Sequence, residues 1–119
     1  MILDRDPDSC SALLRELAAL GREAVTADTP GELVRRLRGD EHYETAIVDL
    51  ELGPEDDYLD GVDLLVHLAQ EHPGIRRVLM SSHPGAPRAP RTDAVPGVHA
   101  VLAKPFTRAS LRRALGQRD

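Results

Sequence analysis

Apolar positions follow two alternating rhythms along this chain. Short, near-continuous runs occur at Met1-Ile2-Leu3, Ala46-Ile47-Val48, Val78-Leu79-Met80 and Val98 to Ala103. Runs of this length, bounded by polar residues, have the form of strands buried on both faces. Ala24 to Ala27 alternates weakly and reads as one more strand. Between the runs, apolar residues recur every three or four positions. Cys10, Leu13, Leu14, Leu17 and Leu20 form one set, and Leu33, Val34 and Leu37 a second. Val62, Leu64, Leu65 and Leu68 form a third, and Leu111 and Leu115 the last. That spacing predicts amphipathic helices. The punctuation agrees. Asp8 or Ser9 can cap the first helix, and Gly21 stops it. Thr29-Pro30-Gly31-Glu32 has the form of a capping box with Pro at the first helical position. Gly39 ends the second helix, Pro73-Gly74 closes the third, and Thr107 caps the last. Pro84, Pro87, Pro90 and Pro96 leave room for only short helical pieces between 84 and 97.

Strands and helices therefore alternate five times, with no repeat, linker or composition break. The order predicts one α/β domain over residues 1–119: a single doubly wound, five-stranded parallel sheet with right-handed crossovers and helices on both faces. Thr45 to Leu50 is its central strand, and Asp49 falls at that strand's carboxyl end. Ligands of open α/β sheets bind at that rim.

Composition narrows the function classes. Apolar residues make up 41% and charged residues 29%, as in a folded globular domain. Aromatics are only 3%, so Leu, Val, Ile and Ala must build the core. A net charge of −5 argues against nucleic-acid binding by bulk charge. The apolar runs are too short to span a bilayer, and Met1-Ile2-Leu3 leads straight into Asp4 without a signal-peptide pattern. Cys10 is the one cysteine, which excludes an internal disulfide and fits a reducing, cytoplasmic setting.

The carboxyl rim would gather Asp4, Arg5 and Asp6 from the first strand and Asp49 and Glu51 from the third. Ser81 and Ser82 would come from the fourth, and Lys104 from the fifth. Clustered carboxylates repel unless a cation joins them. Mg²⁺ held by one or two carboxylates, a carbonyl and water would relieve the repulsion. A hydroxyl and an ammonium are suited to phosphoryl oxygens. The set amounts to a site for phosphoryl transfer onto Asp. Other chemistries lack their residues. The histidines at 42, 67, 72, 83 and 99 show no zinc-ligand spacing. There is no GxSxG elbow, no GxGxxG and no Walker A loop.

Asp4 after Ile2-Leu3, Asp49 after Ala46-Ile47-Val48, Asp60-Gly61 opening the third helix, Ser81 after Val78-Leu79-Met80, and Lys104-Pro105-Phe106 follow one another in order. In that order and spacing the chain resembles the receiver domain of a two-component response regulator over nearly its whole length. The resemblance implies a flavodoxin-like strand order, 2-1-3-4-5. It implies that Asp49 is the phospho-acceptor and that Asp4 belongs to an acidic pocket with its neighbours Arg5 and Asp6. Mg²⁺ would be held by Asp4, Asp49 and the backbone carbonyl of Glu51. Ser81, rather than Ser82, would be the switch hydroxyl, Lys104 would contact the phosphate, and Pro105 would follow a cis bond. The implied partner is a histidine kinase or phosphotransfer protein, with an output domain or second receiver as a further partner. Neither a nucleic acid nor a membrane is an implied partner, and the implied activity is signalling rather than enzymatic turnover.

Four departures from the family pattern stand out. Arg5 occupies the second acidic position, and Val101 the position of the switch aromatic. The acidic loop from Asp49 to Gly61 is longer than the family's, and prolines interrupt the family's fourth helix. Arg5 has two readings. Its guanidinium either takes the metal's place beside Asp4 and Asp49, making Mg²⁺ binding weak or absent, or swings into solvent while Asp6 or Glu51 helps the metal. Two other functions compete with phosphoryl acceptance: a degenerate receiver that only docks proteins, and a small flavodoxin-like cofactor or enzyme domain. Arg108, Arg112 and Arg113 on the last helix are a solvated face or a docking surface.

Overall fold

The computed structural model describes residues 1–4, 6–51, 61–81 and 97–116. Its elements run β1 (Ile2–Leu3), α1 (Pro7–Ala19), β2 (Thr26–Ala27), α2 (Pro30–Leu37), β3 (Thr45–Asp49), α3 (Gly61–Glu71), β4 (Arg76–Ser81), β5 (Ala100–Ala103) and α4 (Arg108–Ala114). The five strands form one parallel sheet in the order β2-β1-β3-β4-β5. This is the flavodoxin-like order.

Side-chain alternation along the strands divides the core into two layers. Leu3, Ala46, Val48 and Leu79 point to one face, where they meet Leu33, Val34 and Leu37 of α2 and Leu64, Leu65 and Leu68 of α3. Ile2, Ile47, Val78 and Met80 point to the other, against Leu13 and Leu17 of α1 and Leu111 and Ala114 of α4. Both faces of β3 and β4 are thus dry, which is why their sequences are continuous apolar runs rather than alternating ones.

Several boundaries differ from the expected ones. α1 begins earlier than Asp8 or Ser9 allows: Asp6 is the cap, its side chain accepting from the Asp8 N–H, and Pro7 takes the first helical position. A Pro at that position sacrifices only a donor the helix leaves unpaired anyway. β2 covers only Thr26–Ala27 and β5 starts at Ala100, although Val25 still accepts from the Ile2 N–H at 2.9 Å and the His99 N–H donates to the Arg77 carbonyl at 2.8 Å. At α2, Thr29 accepts from the Glu32 N–H, but the Glu32 carboxylate reaches one residue further back, to the Asp28 N–H. The full reciprocal box occurs instead at α4, between Thr107 and Ser110. The long acidic loop after Glu51, Ser82, Arg5 and the proline-rich stretch where a helix was not expected lie outside the described residues.

The amino end of the sheet carries a buried cation. Arg77 is 8% exposed, and its guanidinium donates to the carbonyls of Ile75 at 2.8 Å, Pro73 at 3.2 Å and Gly97 at 2.5 Å. It thereby ties the end of α3 to the segment entering β5. Gly97, at φ 82°, stands so close to α3 that an added Cβ would lie 3.1 Å from Ala69 Cβ. Next to it, Arg76 donates through Nε to the Ala114 carbonyl at 2.7 Å and closes the end of α4. A cation at a helix carboxyl terminus also offsets the helix dipole.

Candidate functional site

The opposite rim collects the charges. Asp4 directly follows β1, and its side chain is fully buried. β3 ends at Asp49, 8% exposed. Each carboxylate receives one backbone N–H through an oxygen of its own: Asp6 N–H to Asp4 Oδ1 at 3.0 Å and Glu51 N–H to Asp49 Oδ1 at 3.1 Å. The other oxygens face a shared cation. Lys104 Nζ lies 2.8 Å from Asp49 Oδ2 and 3.0 Å from Asp4 Oδ2. The backbone delivers it there. Lys104 N–H donates to the Ser81 carbonyl at 2.8 Å, continuing the β4–β5 ladder, and the Lys104–Pro105 bond is cis.

Two carboxylates share one ammonium, and their pKa directions diverge. Burial pushes Asp49 up. The Lys104 ammonium and the Glu51 N–H pull it back incompletely, and Asp4 adds to the push, so Asp49 is raised above the usual carboxylate value. Asp4 is also pushed up by burial, but the Asp6 N–H, the neighbouring Ser9 hydroxyl and the Lys104 ammonium together outweigh that, and it is lowered. Lys104 loses hydration by burial and regains more from Asp49 and Asp4, so it is raised and stays charged. Asp4 is the settled anion of the pair, and Asp49 the strained one.

The expected site residues do not all converge. Asp4, Asp49 and Lys104 meet. Ser81, 2% exposed, ends β4 on the same rim, opposite Ala103 in the ladder. Asp6 does not join the acidic pocket: it is exposed and engaged in capping α1, because the residue after Asp4 and Arg5 is already turning into the helix. Val101 is half-buried and packs against the α2–α3 core layer. Ser9 was read only as a cap candidate, yet its hydroxyl is among the groups that lower the Asp4 pKa. Its place in the first turn of a helix that starts directly after β1 was the available signal.

Among the described residues, no group of three or more His, Cys, Asp or Glu side chains stands together as a metal cage. Two carboxylates are nevertheless enough for Mg²⁺, which takes most of its other ligands from water and substrate. Asp4 Oδ2 is buried and, although ion-paired with Lys104, has no well-aligned hydrogen bond. A hard oxygen left in that condition suits a hard cation, so the residues present fit the ion.

A doubly wound sheet in this order, with an Asp at the end of its central strand and a Lys after its last strand reaching back to it, is the fold of solved response regulator receiver domains. The comparisons with known proteins agree. No family model matches the chain. The chain is 28% identical over 115 residues to the transcriptional regulatory protein GlrR of Escherichia coli (strain K12), covering 97% of this chain and 24% of that protein. It thus spans about a quarter of the length of the curated relatives it matches. The receiver domain of NtrX from Brucella abortus superimposes with a TM-score of 0.80 at 24% identity, covering 98% of each chain. The signal receiver domain of an HD domain-containing protein from Pseudomonas fluorescens Pf-5 gives 0.80 at 20% identity, over 97% of this chain and 88% of that one.

Proposed function

We propose that this domain accepts a phosphoryl group on Asp49 from a phosphohistidine of a partner kinase or phosphotransfer protein, and signals by the rearrangement that follows. The observation that carries the reading is Lys104 Nζ, held 2.8 Å from Asp49 Oδ2 and 3.0 Å from Asp4 Oδ2. An Asp49 carboxylate oxygen attacks phosphorus, the new O–P bond forms, and the P–N bond breaks with its electron pair left on the imidazole. Asp49 is suited to attack, since burial has already removed part of its hydration. Lys104, anchored by Asp4, contacts one phosphoryl oxygen, and the Ser81 hydroxyl serves another. Asp4 stays ionised and holds the ammonium in place throughout.

Mg²⁺ would be held by Asp4, Asp49 and the Glu51 carbonyl, and when bound it neutralises charge on the phosphoryl oxygens. Arg5 opposes it. Arg offers donors and no acceptor, and carries a fixed positive charge beside Asp4 in sequence. Two unit charges ~4 Å apart interact by roughly 4 kcal/mol at an effective dielectric of ~20, so replacing cation by carboxylate should strengthen Mg²⁺ binding by more than about tenfold. Calorimetry on the Arg5→Asp variant reads this directly. Unchanged affinity would place the guanidinium outside the pocket.

The function itself is tested by incubating the protein with a small phosphodonor and Mg²⁺ and recording intact mass. One phosphoryl group should be added to the unaltered chain and none to Asp49→Asn. Addition to both would remove Asp49 from the role. Addition to neither would leave a receiver that only docks proteins.

A further inference from the structure

Asp49 ends β3, and the chain then runs out into the acidic loop before α3 begins at Gly61. The two ends of that excursion meet: Gly61 N–H donates to the Leu50 carbonyl at 2.8 Å, and Leu50 N–H donates to the Met80 carbonyl at 2.8 Å. Gly61 is buried. A Cβ added to it would overlap the Asp49 carbonyl oxygen and lie 2.9 Å from the Asp49 carbonyl carbon and 3.0 Å from Leu50 Cα. All three atoms are backbone and cannot rotate away. The glycine is not there for its conformational freedom, because the positive-φ glycines among the described residues are Gly21, Gly97 and Gly116, and Gly61 is not one of them. An alanine would find the backbone angles acceptable and the space taken.

We propose that Gly61 is a positioning residue for Asp49: the missing Cβ lets α3 start against the Asp49 carbonyl, and this contact fixes the acceptor's backbone where the chain leaves the sheet. The inference rests on Asp49 being the acceptor. Its physical content is that any side chain at 61 must push the Asp49 peptide away or shift α3. A push on that peptide moves Asp49 Cα, and with it the carboxylate that faces Lys104. The same displacement would lengthen Leu50 N–H to Met80. Gly31 supplies an internal control. It also lies in the first turn of a helix, α2, yet its added Cβ would meet only Thr29 Oγ1, at 3.9 Å.

The test uses the full chain, a small phosphodonor with Mg²⁺, and two variants. Gly61→Ala should lower the maximal rate of phosphoryl incorporation by about a hundredfold, as displacements near 1 Å do, and leave the half-saturating donor concentration within about twofold. Gly31→Ala should match the unaltered chain in both. Amide exchange adds a reading that needs no activity. In the unaltered chain the Gly61 and Leu50 amides should be protected like the centre of β3, and in Gly61→Ala the Leu50 amide should lose protection. A Gly61→Ala rate equal to that of Gly31→Ala overturns the proposal, as does a loss confined to donor binding. If Gly61→Ala does not fold, free exchange of the Gly61 amide in the unaltered chain overturns it and strong protection supports it. If the unaltered chain takes up no phosphoryl group, the proposed function fails, while the exchange data still decide whether Gly61 holds the Asp49 backbone.

Discussion

At the carboxyl end of the sheet Lys104 lies between two carboxylates, and at the amino end Arg77 lies among the backbone carbonyls of Ile75, Pro73 and Gly97. Both cations are largely buried. The described partners of the Arg77 guanidinium are neutral backbone carbonyls, met in its fixed fork geometry. Lys104 is a point charge facing an excess of negative charge, with Asp49 pushed toward its neutral form and Asp4 Oδ2 short of a hydrogen bond. Burial of a charge therefore does not distinguish a site from a staple. The partners do: Arg77 is met by neutral carbonyls, whereas Lys104 is met by two carboxylates that can still accept a cation or a phosphoryl group.

The sharpest way to break this contrast is to remove each cation and read two quantities. Lys104→Met should lower the rate of phosphoryl transfer to Asp49 by about a hundredfold or more, the usual cost of losing one charge-stabilising donor, with a modest change in melting temperature. Arg77→Met should do the reverse. It strands several buried carbonyls, for a loss of about 2–4 kcal/mol in denaturant unfolding, and leaves the rate per folded molecule unchanged. A kinetic defect in Arg77→Met at full folding would mean that the two ends are coupled.

A smaller effect separates the two carboxylates by pH. Asp49 has a folded pKa above its unfolded one, so its ionisation opposes folding once pH exceeds the unfolded value. Asp49→Asn should then raise the melting temperature at pH 7 by about 2–5 °C. That gain should shrink as pH falls through the raised pKa and the native carboxyl protonates. Asp4 has a folded pKa below its unfolded one. Its contribution is present above the unfolded value and is lost as pH falls through the folded one, so Asp4→Asn should destabilise at pH 7 and matter little in acid. Equal and like-signed shifts from the two variants would contradict the division of roles.

Much of this was legible before any coordinates. The double burial of β3 and β4 follows from runs such as Ala46-Ile47-Val48, and the alternation of strands and helices then leaves few topologies. Asp4, Asp49 and Lys104 were readable as one site because each follows the apolar run of its own strand. Asp6 was not, because membership of the pocket depends on where β1 ends and α1 turns away, a shift of one residue. The role of Ser9 depends on the same turn. Arg77 gave no signal at all: beside Arg76 and just ahead of Val78-Leu79-Met80 it reads as the polar border of an apolar run, and its carbonyl partners come from segments up to 20 residues away. Gly61 was read as the start of a helix, and only the backbone beneath it shows what a side chain would strike.

The central claim is that the acceptor is a carboxylate, and its product is an acyl phosphate rather than a phosphate ester. Treating the phosphorylated protein with neutral hydroxylamine distinguishes the two, since hydroxylamine attacks an acyl carbon, expels phosphate and leaves a hydroxamate. Peptide mapping should find that hydroxamate on Asp49, with all bound phosphoryl released. Phosphate that resists hydroxylamine and maps to Ser81, or a hydroxamate on Asp4, would contradict the account.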